Sequence, residues 1–386
     1  MIKTPDEAIK FCNNWLKNDV LPLWINNGID TNNGSFFESL NTDGSKNLGS
    51  RRALVQSRQI YAFSEAFKMQ LIEKSQVSAI ISGALNFLIR FYKKPTGNYI
   101  HAVSGDGSVS ESQSELYTQA FVLFALARAF ELFKTPEIKT TALELLNYLN
   151  ANRKLSNGGF SELKNNVLHF QSNPHMHLFE AAIEWIKVDA APEWKKLGGE
   201  LNILAKEKFV DSKTGFLAEQ FDENWKPCLE SNSFIAEPGH HYEWSWLFLQ
   251  YEKCSGISAA DTSIKLYTLA EAYGVNKATG LVYDEITSGF EVKKKSHRFW
   301  PQCERIKAAL ELGLNAPSSE QKQFGDSADQ ALNCLLRYLE TTPRGFWFDT
   351  ILENGQFNSQ PAKASSLYHI INAMSEYCQK RPLLQD

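Results

Sequence analysis

The chain has 386 residues, 43% hydrophobic, 12% aromatic and 22% charged, which is enough apolar surface for a large core and too much for a disordered chain. Its 40 basic and 44 acidic side chains leave a net charge of −4 with no basic block, which argues against nucleic acid or an anionic membrane as partner. The length admits two or three average domains or one large closed architecture.

The opening segment MIKTPDEAIKFCNNW places Asp6 and Glu7 where a signal peptide needs an apolar core, and no stretch reads as a run of about 18 apolar residues. Cys12, Cys228, Cys254, Cys303, Cys334 and Cys378 have neither metal-site spacing nor the density of a disulfide scaffold. These features predict a soluble, cytoplasmic protein in a reducing compartment.

A repeat then organises the chain. Six segments open on glycine, continue with aromatic or β-branched residues and mostly carry an acid: GSFFE from Gly34, GNYI from Gly97, GFSE from Gly159, GFLAE from Gly215, GLVYD from Gly280 and GFWFD from Gly345. Their spacings are 63, 62, 56, 65 and 65 residues. Several run into a second turn signal, as at Asn41 to Gly44, so each reads as a strand-turn unit of hairpin size.

Between the anchors the chain reads as helix pairs. After an opening helix near Pro5 to Ile25 come Arg51 to Met69 with Gln76 to Phe91, and Leu116 to Phe133 with a segment opening at Thr135-Pro136. Leu116 to Phe133 is apolar nearly all round, as an inner helix should be; its partner has one stripe of Ile138, Ala142, Leu145, Leu146 and Leu149, as an outer helix should. The alternation continues with His175 to Ile186 and Pro192 to Val210, His240 to Tyr251 and Ala259 to Tyr273, His297 to Leu312 and Ser318 to Leu339, and a final helix from Ala362 to Gln379. Pairing that final helix with the opening one gives six hairpins. The expected fold is all-α: an (α/α)6 barrel with short β-hairpin loops at one mouth, formed by a single domain over residues 1–386, rather than an open solenoid.

Residues at matching distance from their glycine should share a height in such a barrel. Arg58, Tyr117, His177, His240, Glu304 and His369 lie 18 to 25 residues beyond their anchors, so they should converge on one mouth. His240 follows the turn Pro238-Gly239 at the start of an inner helix, and Glu243, one turn on, is placed to fix its tautomer. His369 stands in an otherwise apolar run and Arg58 among apolar neighbours, where an arginine needs a polar wall or a ligand. His175 and His177 are spaced as i and i+2, which point apart on a helix, and no motif supports a metal site. Trp300 and Trp347 could stack on a sugar or pack in the core; His101, His169, His241 and His297 receive no role.

With these residues in view, the sequence resembles the N-acylglucosamine 2-epimerase family over nearly its whole length. The motifs are RALVQSRQIYAFSEA from Arg52, NPHMHLFEA from Asn173, EPGHHYEWSWL from Glu237, RFWPQCERIKA from Arg298, GFWFD from Gly345 and SSLYH from Ser365. The resemblance implies an (α/α)6 barrel that isomerises or epimerises sugars at C2 with neither metal nor nicotinamide. It places the catalytic histidine pair on His240 and His369, a third pocket histidine on His177 and the polarising arginine on Arg58. The sugar site is then lined by Tyr117, Asn173, Glu180, Glu243, Trp300, Glu304 and Trp347. At Tyr117-Thr118-Gln119 many epimerase members carry an acid and a histidine, and the SSLYH run looks closer to the D-mannose isomerase branch.

The expected reaction is aldose–ketose isomerisation of D-mannose and D-fructose through a cis-enediolate, with His369 as base and Arg58 and His177 holding the charged oxygens. A 2-epimerase, using His240 as a second acid, and a glycoside hydrolase using Glu243, Glu304 or Asp349 stay open as alternatives. A phosphorylated sugar would need a further cationic clamp, hinted at only by Arg51 and Arg52. The expected partner is a monosaccharide, with no cofactor, no nucleic acid and no membrane, in a monomer or weak homo-oligomer.

Overall fold

The computed structural model describes residues 2–164, 167–189 and 191–385. In chain order its helices are α1 (Pro5–Trp15), α2 (Leu21–Asn27), α3 (Ala53–Lys68), α4 (Lys74–Tyr92), α5 (Leu116–Phe133), α6 (Pro136–Asn152) and α7 (Ser172–Asp189). There follow α8 (Pro192–Leu204), α9 (Pro238–Ser255), α10 (Ala260–Tyr273), α11 (Trp300–Asn315), α12 (Ser318–Leu339) and α13 (Leu367–Lys380). A π-turn over Leu16–Val20 joins α1 to α2, and another over Ala205–Phe209 extends α8, so two of the expected long helices are interrupted.

The helices sort by burial pattern. In α9 every residue from Pro238 to Tyr251 is buried, and α3 is buried from Ala53 to Ala66, whereas α6 buries only its predicted stripe of Ile138, Ala142, Leu145, Leu146 and Leu149. A helix covered on all sides belongs inside the ring and a striped one outside. The inner helices pack in sequence, α3 on α5, α5 on α7, α7 on α9, α9 on α11 and α11 on α13, and α13 returns to pack on α3 while α1 covers it. The ring is therefore a closed (α/α)6 barrel. Ser39–Leu40 and Ala362–Lys363 also pair antiparallel across the seam.

Helix α5 is the one helix among the described residues that is long and apolar enough to cross a membrane, contrary to the expectation that none would qualify. Its apolarity has another cause: nearly all of it from Leu116 to Ala129 is buried within the barrel.

The glycine anchors explain the turns. All six, Gly34, Gly97, Gly159, Gly215, Gly280 and Gly345, have φ between 73° and 93°, a region costly for any residue with a Cβ. At Gly345 a Cβ would also lie 2.7 Å from the Asp19 carbonyl oxygen. The acids of these units reach to later segments of the chain: Glu38 accepts from the Arg52 backbone N–H, Glu162 from Tyr117, Glu219 from Glu237 and Asp284 from Arg298. For α11 this has a visible result. His297–Arg298 is a strand paired with Thr350–Ile351, and the helix starts at Trp300 rather than His297, with a proline in its first turn.

Candidate active site

A cavity of about 150 Å³ opens at the mouth where the inner helices begin, lined by Arg58, Tyr117, Asn173, His177, Glu237, His240, Glu243, Arg298, Trp300 and His369. The two central imidazoles share one indole: the ring centroids of His240 and His369 lie 5.1 and 5.7 Å from that of Trp300.

Each histidine has its Nδ1 fixed by a carboxylate. His240 donates to Glu219 Oε2 at 2.9 Å, His369 to Glu304 Oε1 at 2.8 Å and His177 to Glu180 Oε2 at 3.1 Å. An ionised carboxylate only accepts, so Nδ1 carries the proton and Nε2 is left for a ligand.

The same contact has opposite electrical outcomes. For His240, burial opposes the charge, but Glu219, Glu237 and Glu243 outweigh it and raise the pKa to about 9. For His369, burial, with Arg58 and Lys307 adding to it, prevails over Glu304 and lowers the pKa to about 4. Burial, Arg58 and His240 likewise push His177 well below its ordinary value. Near pH 7 the cavity therefore holds one imidazolium, His240, and two neutral imidazoles, a separation that divides acid from base.

Arg58 is the cation facing this set. Its Nη2 donates to the Tyr117 hydroxyl at 2.9 Å and its Nη1 to the Ser365 carbonyl at 3.4 Å, while its guanidinium lies over Phe121 and Tyr368. Nε is buried without a partner, and among the described residues Arg58 makes no ion pair. The sequence reading expected a polar wall or a ligand for this arginine, and the Tyr117 hydroxyl and Ser365 carbonyl supply such a wall. Arg298, also on the cavity, is neutralised by Glu237 at 2.6 Å and Asp284 at 3.0 Å.

Several expectations are corrected. Trp347 is 2% exposed and stacks on Trp24 with centroids 5.1 Å apart; it joins the last unit to α2 and does not line the cavity. Glu180 and Glu304 lie beneath the histidines, where they orient His177 and His369. Glu243 lines the cavity but does not fix His240; Glu219 does, and Glu243 Oε1 lies 3.9 Å from His177 Nδ1. Arg51 and Arg52 are held by Asp30 and Glu38, so neither is a free clamp.

Glu219, Glu237 and Arg298 were missed by sequence reasoning. The signal for Glu219 was present as the acid closing its glycine unit. Glu237 and Arg298 flank inner-helix starts, inside motifs already singled out. His175 and His241 have structural roles: their Nε2 atoms accept from the backbone N–H of Phe160 and Leu217. His297 meets the Val282 carbonyl through Nδ1.

Three groups bring histidine and carboxylate atoms within 4.8 Å of one another: His177, Glu180 and Glu243; Glu219, Glu237 and His240; Glu243, Glu304 and His369. Each spends a histidine Nδ1 on a carboxylate, and Lys307 lies beside Glu304, so these atoms are largely committed to one another. A larger cavity of about 500 Å³ includes Glu65, Arg128, Glu184 and Lys187. Arg128 bridges Glu65 and Glu184 there at 2.8 and 3.0 Å, a satisfied polar network without the histidine set.

The sequence model of the N-acylglucosamine 2-epimerase (GlcNAc 2-epimerase) family matches residues 35–373. The chain belongs to this family. A relative from Rhizobium meliloti named mannose-6-phosphate isomerase is 33% identical over 374 residues, covering 95% of this chain and 96% of that protein. Among solved structures, a D-mannose isomerase superposes with a TM-score of 0.84 at 18% identity over 97% of both chains. Cellobiose 2-epimerase from Bacillus thermoamylovorans B4167 superposes with a TM-score of 0.87 at 19% identity, over 97% of this chain and 99% of that one. As a member of the N-acylglucosamine 2-epimerase family the chain is a sugar isomerase/epimerase.

Proposed function

We propose that the protein interconverts D-mannose and D-fructose. The observation that carries this reading is a neutral, oriented His369 in one small cavity with the unpaired guanidinium of Arg58. His369 Nε2 takes the C2 proton of the open-chain aldose. The electron pair of the broken C–H bond forms the C1=C2 bond, and the C1 carbonyl electrons move onto O1. Arg58 stabilises that oxyanion, and His177 Nε2, which bears no proton, is available to accept from the O2 hydroxyl. A proton passes from O2 to O1, O2 becomes the carbonyl oxygen, and His369 returns its proton to C1, so the ketose forms without loss or gain of atoms.

The cavity size supports a single sugar, being smaller than the roughly 300–1,000 Å³ of pockets for drug-sized ligands. The pairing of Arg51, Arg52 and Arg298 supports a neutral sugar, because a phosphate calls for a cation beyond Arg58, which this reading assigns to the oxyanion, even though the Rhizobium meliloti relative is named for a phosphorylated mannose. A 2-epimerase is the second reading, favoured by one observation: His240 is charged and beside the same indole, available as an acid for return of a proton to C2. Hydrolysis is disfavoured because Glu304 is committed to His369 and Lys307 and Asp349 does not line the cavity, which leaves Glu243 facing only Glu237, itself committed to Arg298.

Proton NMR in deuterated water tests the reading. D-Mannose should give fructose deuterated at C1, with mannose 6-phosphate turning over poorly. Glucose labelled at C2 as the first product would replace isomerisation by epimerisation, and preferential turnover of mannose 6-phosphate would overturn the neutral substrate.

A further inference from the structure

At the floor of the cavity and beneath it the barrel buries three carboxylates and one ammonium: Glu180, Glu243, Glu304 and Lys307, at 3%, 1%, 0% and 0% exposure. Lysine is almost never fully buried unless it is paired, because an ammonium stripped of its water strongly disfavours the interior. Lys307 lies one helical turn beyond Glu304 on α11, with Nζ 2.7 Å from Glu304 Oε2 and 4.0 Å from the Trp246 ring centroid. The other Glu304 oxygen accepts from His369 Nδ1. One carboxylate thus joins a buried cation to the ring that faces the sugar. A methionine would fill similar space, so packing alone does not require the charge.

We propose that Lys307 is a positioning residue of the reaction: through Glu304 it holds His369 as a neutral imidazole with the proton on Nδ1 and Nε2 open to substrate. This rests on the reading of His369 as the base. The groups around the chain are Glu180 and His177 on α7, Glu243 and His240 on α9, Arg58 on α3 and Tyr368 on α13. Burial works against the Glu304 charge, yet Lys307 and the bond from His369 hold its pKa at about 2. Burial raises Glu180 and Glu243 instead. Without the ammonium, the Glu304–His369 pair binds a proton more readily. Whether that proton rests on the carboxylate or on the ring, the reactive form is reached only at higher pH.

Lys307→Met tests this. The acid limb of kcat/KM should move up by at least about one pH unit, the scale of a contact charge. The His369 ring, followed by ¹⁵N NMR in the unliganded protein, should become protonated at higher pH than in wild type. Should Lys307→Met fail to fold, Lys307→Gln serves for the same two titrations. A folded variant whose acid limb and His369 titration both match wild type overturns the proposal. The NMR arm needs no turnover, so a wild-type protein that leaves mannose unchanged refutes the functional reading alone.

Discussion

His240 and His369 contact the same indole of Trp300 in opposite protonation states, the first raised to about 9 and the second lowered to about 4. Both have Nδ1 on a glutamate, so the carboxylate alone does not set the charge. His240 has Glu219, Glu237 and Glu243 acting on it, whereas His369 also feels Arg58 and Lys307. The local charge balance turns two similar side chains into an acid and a base.

The pH dependence follows with a definite sign. His369 works deprotonated, so kcat/KM for isomerisation should rise as pH passes through about 4, and any 2-epimerisation, which needs His240 protonated, should in addition fall as pH passes through about 9. A broad plateau in initial rates across neutrality is the expected profile. A single limb centred on the ordinary histidine value of about 6.5 would contradict the division of roles.

Glu219→Gln removes the largest contribution raising the His240 pKa while keeping a hydrogen-bonding side chain. The basic limb of 2-epimerisation should move down by at least about one pH unit, with the acid limb set by His369 unchanged. An unmoved basic limb would mean that His240 is not the group titrating there.

Arg58→Met removes the one guanidinium on the cavity without an ion pair among the described residues but keeps much of the aliphatic stem. A fall in kcat of about 10²–10³-fold is expected, the size of losing one oxyanion partner, with a smaller change in KM. Steady-state kinetics at saturating sugar decide it: a loss confined to KM would assign Arg58 to binding the ground state.

Trp347→Ala separates packing from sugar contact. The indole is buried against Trp24, so truncation should cost about 3–5 kcal/mol in stability, read by urea unfolding. The kcat/KM of the remaining folded protein should stay near wild type, and a large selective loss of activity with intact stability would return Trp347 to the site.

Much of this architecture was written in local pattern. The glycine anchors recur because each turn needs positive φ, and apolar coverage alone told inner helices such as α5 from outer ones such as α6. The repeat phase brought Arg58, Tyr117, His177, His240 and His369 to one cavity, because a closed barrel converts equal offsets into equal heights. Glu304 shared the phase, yet sits one layer deeper.

Pairing across the barrel was not legible. Glu219 lies 21 residues from His240 and Glu304 lies 65 from His369, and no local period states which carboxylate meets which ring. The expected Glu243–His240 contact failed for that reason: neighbours on one helix turn were offered where the partner came from the preceding turn unit. Periodicity and backbone preference were enough for the helices, their order round the ring and most of the cavity's lining, though not for Glu237 and Arg298. Which imidazole holds a proton follows from closure of the ring, because charge depends on burial and on groups that closure brings together.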